Sequence, residues 1–409
     1  MQVRRDAGGF EVERRMPGPV VAAWRRDAWG QPLDVTLKHP GGVGLEAGFQ
    51  WGSHGEFAMR IDPAEGPTRY EYDPAGALVA ARHADGTVEL RLTDAAGYLY
   101  RDAGFGDRRY GPGGRVEACD GEGLGWDRDG ALVSRGIPGE AGWRFGWDAH
   151  GRLAEVRRPD GLAVTYGYDA LGRRARKTFG GVETQYYWDG DELAHEQRGA
   201  EATTTWVFEP GCFVPLAGSQ GERFVGGVPD AVGAPEALTG GEGRLVWQAR
   251  IDLYGVARPQ VAEVECPWRW PGQYHDAETG LHYNRFRYYD PELGRYISQD
   301  PIGLAGGLDL YAYVSDPLTQ IDPYGLACYE ANRSNGPNGI TVGRRLSQKQ
   351  ALGRIRRGLD VFADTAAEAR SLAKRALRGK PMRHGPHGVG YLPHYHPNQH
   401  ANSSHVFFP

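Results

Sequence analysis

The chain has 409 residues, 40% hydrophobic and 24% charged, with a formal charge of −5. That balance excludes wholesale disorder, and the length suits two to three domains at about 150 residues each. No apolar run approaches the ~18 residues of a membrane helix, the N-terminal MQVRRDAGGFEVERR lacks the apolar core of a signal peptide, and Cys119, Cys212, Cys266 and Cys328 are too scattered for a disulfide framework or a zinc ribbon.

Glycine supplies 61 positions, about twice the usual ~7%, alongside 21 Tyr and 11 Trp. Without a Gly-X-Y period, this predicts many short strands joined by turns. One pattern recurs through the first 200 residues: an aromatic, Asp, two residues, Gly, then Leu or Val. Copies start at Tyr72-Asp73, Trp126-Asp127, Trp147-Asp148, Tyr168-Asp169 and Trp188-Asp189, with a partial copy at Asp94. Most of these Asp residues are 20 or 21 apart, the mark of a stacked repeat. Each unit reads as a hairpin: strand Ala163–Tyr168, turn Asp169–Gly172, return strand from Arg173. One hairpin cannot bury its own face, whereas a row can share a core. The repeated Asp is expected to cap its turn rather than catalyse.

These units resemble the YD repeats of the Rhs protein family. The segment that follows, residues 267–327, begins PWRWPGQYHDAETGLHYNRFRYYDPELGRYISQDPIGL and resembles the Rhs-associated core almost continuously. The resemblance implies a mainly all-β protein with a repeat shell over 1–265, a closing core over 266–326 and a variable C-terminal toxin over 327–409, held inside. Complete family members are much longer, so the expectation is an incomplete shell.

Two DPxG elements stand in the core, Asp300-Pro301-Ile302-Gly303 and Asp322-Pro323-Tyr324-Gly325. By spacing alone they are also ordinary turn starts, like Asp62-Pro63, Asp73-Pro74, Asp290-Pro291 and Asp316-Pro317. The resemblance implies more: an intramolecular aspartyl protease that cuts between Leu326 and Ala327, with Arg287 as a further member of the site. Two adjacent carboxylates suit that chemistry, because both cannot ionise together.

Residues 327–409 hold 13 Lys and Arg against four acids, a net +9, which leaves −14 for the first 326. A basic module of this kind suits nucleic acid. Capping boxes at Ser347–Gln350 and Thr365–Glu368 predict two helices, the second over 366–378, and Ser404–Phe408 reads as a strand, a small α+β domain. Six histidines cluster between His384 and His405. The reading is a metal-independent ribonuclease in which His394 and His396, then His405 and His384, exchange protons while Lys380 and Arg383 hold the phosphate. One alternative places a divalent metal on His394, His396 and His400. Another is a tail that only binds nucleic acid.

For a toxin of this class the resemblance implies competition between bacteria. It further implies a secretion machine, action in the target-cell cytoplasm and an immunity protein, which should be acidic to cover a basic surface.

Overall fold

The computed structural model describes residues 1–326 except 8–9, 17, 28–29, 40–41, 54, 210–212 and 307; beyond them it describes only the backbone of six strands. The predicted capping boxes and the 366–378 helix lie outside the described residues. Nine strands, from Gln2–Arg5 to Val88–Leu90, form one antiparallel meander in which each pairs with the next. Leu92–Thr93 and Leu99–Tyr100 make a short ribbon, and sixteen strands from Arg108–Tyr110 to Ala257–Ala262 form a second meander.

The turn chemistry explains the repeat. At Asp73, Asp94, Asp148 and Asp169 the backbone N–H donates to the carbonyl four residues on. Asp Oδ1 accepts the N–H groups two and four residues on. The glycine closes the loop at positive φ, +72° at Gly172, where a Cβ would be strained. The register shifts at the aromatic residue that precedes the Asp, as at Gly167/Tyr168: a three-residue loop with a bulge. Other hairpin ends use the same backbone bonds with Asp in the third position, at Asp85 and Asp160.

Asp189 departs from the expectation. It pairs directly with Glu192 across a two-residue loop, with Gly190 at φ +61°, so it is not an equivalent sixth copy. Asp230 and Asp252 are turn caps of the main type that the pattern missed, because Pro229 and Ile251 stand where the aromatic would.

The aromatic has its own task. Tyr72, Trp126, Trp147, Tyr168 and Trp188 each donate to the carbonyl of a residue 10 to 15 positions earlier. The position thus asks for a ring with a donor, which Phe cannot supply. Tyr168→Phe, which leaves the Leu153 carbonyl without its 2.6 Å partner, is expected to cost about 1–2 kcal/mol, read from the urea midpoint. An unchanged midpoint would remove this account of the repeat.

The second meander buries alternate residues, among them Leu153, Val164, Tyr166, Tyr186 and Trp206, against Trp268, Tyr274, Tyr283, Tyr288 and Ile297 of the closing segment. That segment contains a four-stranded antiparallel sheet in sequence order: Tyr274–His275, His282–Asn284, Arg287–Asp290 and Arg295–Tyr296. Its loops are irregular, so their carbonyls need outside donors. Shell arginines provide them. Arg91 donates to Val314 and Ser315, Arg101 to Pro291, Arg108 to Leu293 and Arg158 to Glu278. Arg285 returns the contact to Leu171 and Gly172 of a repeat turn.

Candidate functional site

The closing segment brings both DPxG turns to one guanidinium. Arg287 begins a strand buried along its whole length and is itself 2% exposed. Its Nη2 lies 3.1 Å from Asp300 Oδ2 and 3.2 Å from Asp322 Oδ2. The Leu310 carbonyl accepts both Arg287 Nη1, at 3.2 Å, and the Asp300 N–H, at 2.9 Å, so one peptide fixes the cation and the acid together.

Each Asp is also the turn cap that its Asp-Pro pair predicts. Asp300 Oδ1 accepts the Ile302 N–H at 3.0 Å. Asp322 Oδ1 accepts the Leu326 N–H at 2.8 Å, so the carboxylate touches the residue whose carbonyl belongs to the predicted scissile bond. The turn reading and the site reading therefore hold for the same residues. Asp62, Asp290 and Asp316 are turn caps as well, with partners elsewhere. Among the described Asp-Pro turns, those of Asp300 and Asp322 are the two that share one arginine.

Three residues that the sequence reading missed complete the site. Asn284 Nδ2 donates to the Asp322 backbone carbonyl at 2.8 Å and to Tyr296 Oη at 2.7 Å. Tyr296 Oη donates to Asp322 Oδ2 at 3.0 Å, and its ring lies 3.6 Å from the Arg287 guanidinium carbon. Burial, and then the Asp322 charge, pushes the Tyr296 phenol well above its usual range, so it stays protonated. Gly272, at φ +92°, faces the Pro323 backbone so closely that a Cβ would sit 2.4 Å from the Pro323 carbonyl oxygen. Gly325, at φ +69°, leaves only 3.0 Å between a Cβ and Arg287 Nε. The second DPxG turn therefore packs closely on both sides, with Gly272 against its Pro323 and its own Gly325 against Arg287.

Leu326 is described and half-buried, whereas Ala327 lies outside the described residues. So do Lys380, His400 and His405. Beyond Leu326 the backbone pairs Met382–His384 with His394–His396, and the latter with Val406–Phe407. His384 stands directly across from His394, and Arg383 from Tyr395. His394–His396 is thus a strand, with His394 and His396 two residues apart along it. No group of three His, Cys, Asp or Glu suited to a metal lies among the described residues, and no described helix is long and apolar enough to cross a membrane.

Away from the carboxylate pair, a cavity of about 770 Å³ between the first meander and the last hairpins is lined by Phe57, Arg60, Tyr70, Asp230 and Glu236. Burial pushes the Asp230 carboxyl up to about 6 there, against its three backbone donors.

Hairpin meanders packed on a buried closing segment, which brings two DPxG turns to one arginine, define a repeat-shell protein. Residues 56–305 match the family model described as Teneurin YD-shell, and the chain belongs to that family and to its Rhs/YD-repeat polymorphic toxins. It is 32% identical over 356 residues to the double-stranded DNA deaminase toxin A of Burkholderia cenocepacia, covering 76% of this chain and 25% of that protein. It is 33% identical over 348 residues to the probable deoxyribonuclease RhsA of Dickeya dadantii, covering 75% and 24%. The chain therefore spans about a quarter of the length of these relatives. The Photorhabdus luminescens Tc holotoxin pore shares the fold, with a TM-score of 0.53 at 16% identity over 80% of this chain and 19% of that one.

Proposed function

We propose that the chain is a toxin shell that cuts itself after Leu326 and so frees the basic tail 327–409 as a nuclease. The observation that carries the first part is the sharing of the Arg287 guanidinium by Asp300 and Asp322. One cation beside two buried carboxylates favours one ionised and one protonated acid, the state an aspartyl protease uses. The ionised acid takes a proton from water, whose oxygen bonds to the Leu326 carbonyl carbon. As the C–N bond breaks, the protonated acid gives its proton to the Ala327 nitrogen. Holding the bond in cis gives up to ~7–11 kcal/mol of the barrier in ideal intramolecular cases.

The nuclease part is supported by the +9 tail and by the register that sets His384 across from His394, with His396 two residues along the same strand. In this reading one neutral imidazole takes the 2′-hydroxyl proton of RNA, and one imidazolium protonates the leaving oxygen. A second reading is DNA as the substrate, favoured by two relatives whose names specify a DNA deaminase and a deoxyribonuclease. Those two names differ although both relatives match this chain equally well, so the shared shell does not set the chemistry. Delivery by a secretion machine into a competing cell, and an acidic immunity partner, complete the proposal.

The test is the purified chain itself. Mass spectrometry should find a 326-residue and an 83-residue piece, the second starting at Ala327. The cut preparation is then given RNA and DNA, with and without EDTA. RNA cleavage that survives EDTA and disappears in His394→Ala supports the histidine mechanism. Cleavage lost in EDTA moves His394, His396 and His400 to metal ligation. Cleavage of DNA alone replaces the substrate, and no cleavage of either leaves a binding tail.

A further inference from the structure

We propose that Tyr296, aligned by Asn284, is a positioning residue that keeps Asp322 ionised, which makes Asp322 the base and Asp300 the acid of the cut. This rests on the self-cleavage reading above and adds a direction to it. The direction comes from one hydroxyl. The Asp322 backbone carbonyl can only accept, which fixes Asn284 Nδ2 as the donor and settles the orientation of its amide. The other hydrogen of that amide occupies a lone pair of Tyr296 Oη. The phenol proton is therefore aimed at Asp322 Oδ2, 3.0 Å away.

That oxygen also faces Arg287 Nη2, while Oδ1 accepts the Leu326 N–H. Both carboxylates thus meet a backbone N–H and Arg287, Asp322 meets the Tyr296 hydroxyl as well, and hydrogen bonds to a charged form favour that form. The ionised acid is then the one bonded to the residue that carries the carbonyl under attack. The charged and titratable groups facing it are Arg287 from its strand, Asp300 from the first DPxG turn and Tyr296 from the adjacent strand. Tyr289 and Tyr313 stand behind the Tyr296 ring.

The experiment follows self-cleavage of the full chain, purified unfolded in guanidinium and diluted into acidic to neutral buffers. The wild-type rate should rise through a limb set by ionisation of the pair. Tyr296→Phe removes one donor from the ionised form and should move that limb upward by about one pH unit. The cut is then about tenfold slower below the limb and close to the wild-type rate above it. Asn284→Ala should move it in the same direction and add nothing in the Tyr296→Phe background.

A purely structural role would slow the cut equally at every pH and leave the limb in place; that result overturns the proposal and spares the cleavage reading. If Tyr296→Phe loses its cooperative melting transition, Asn284→Ala carries the test. A wild-type chain that stays whole at every pH overturns the cleavage reading, and the role of Tyr296 with it.

Discussion

An Asp322→Asn chain is expected to stay in one piece, with the cut slowed by roughly 10²–10⁴-fold, the range that an acid–base group supplies. Asn has the volume of Asp but cannot take a proton from water. It also brings an NH₂ group into a site whose neighbours on both oxygens are donors: Arg287 Nη2 and Tyr296 Oη on one, the Leu326 N–H on the other. Whichever way the amide turns, one donor meets another, so the turn is strained as well as inert. The assay is the fraction of full-length chain on a gel, with a protease-resistance check that the closing segment is still docked. Asp300→Asn should give the same uncut chain. A folded Asp322→Asn protein that still yields a fragment beginning at Ala327 would take these aspartates out of the mechanism.

What the sequence reveals of this site follows from what each residue must be. Asp300 and Asp322 are legible because Asp-Pro and a Gly three residues on are turn chemistry, and the resemblance to a known core turned two turns into a pair. Arg287 came only from that resemblance, since nothing in Arg-Tyr-Tyr-Asp distinguishes it from the arginines that bind carbonyls elsewhere. Asn284 and Tyr296 carried no signal: a buried tyrosine is ordinary in a chain with 21 of them, and the role of each depends on contacts to residues up to 38 positions away. Gly272 could have been suspected from Pro271-Gly272, yet its partner at Pro323 is set by tertiary packing.

The shell shows the same division. The aromatic-Asp turns were readable because both halves of the signal are local. Asp230 and Asp252 were not, because the backbone makes the same turn without the aromatic. The histidine tail is the reverse case: its chemistry is suggested by residue type, whereas the pairing that sets His384 across from His394 carries no local signal.

The largest stability effect is expected at Asp276, because it joins shell to plug by a charge that water does not reach. Asp276 is fully buried, and its Oδ2 lies 2.5 Å from Arg174 Nη1 and its Oδ1 3.1 Å from Lys177 Nζ. Both cations sit on the repeat strand Arg174–Phe179, whereas Asp276 opens a turn of the closing segment. Burial pushes the Asp276 carboxyl up, but the Arg174 and Lys177 charges outweigh it and hold it below the usual range. Its contribution is therefore complete above the ordinary carboxylate range and is lost as the pH falls through the lowered value.

Around Arg174 stand the rings of Tyr166, Tyr186, Tyr274 and Tyr283, 4.6 to 5.6 Å from its guanidinium carbon. They offer π faces but no full counter-charge. Asp276→Ala strands that cation, and Lys177 keeps only Glu278, at 2.8 Å. The expected cost is about 3–5 kcal/mol, the usual penalty for breaking a buried pair on one side. Arg174→Met combined with Asp276→Leu should cost clearly less than the two single changes together, because neither charge is then left alone. Urea unfolding of the two single variants and the double variant, each built on the uncut Asp322→Asn chain, measures this coupling without interference from cleavage. A single-variant cost under about 1 kcal/mol would mean that water reaches the pair, since exposed ion pairs contribute that little. The plug would then be held by its aromatic contacts, the arginine–carbonyl bonds and the remaining pairs such as Arg135 with Asp290.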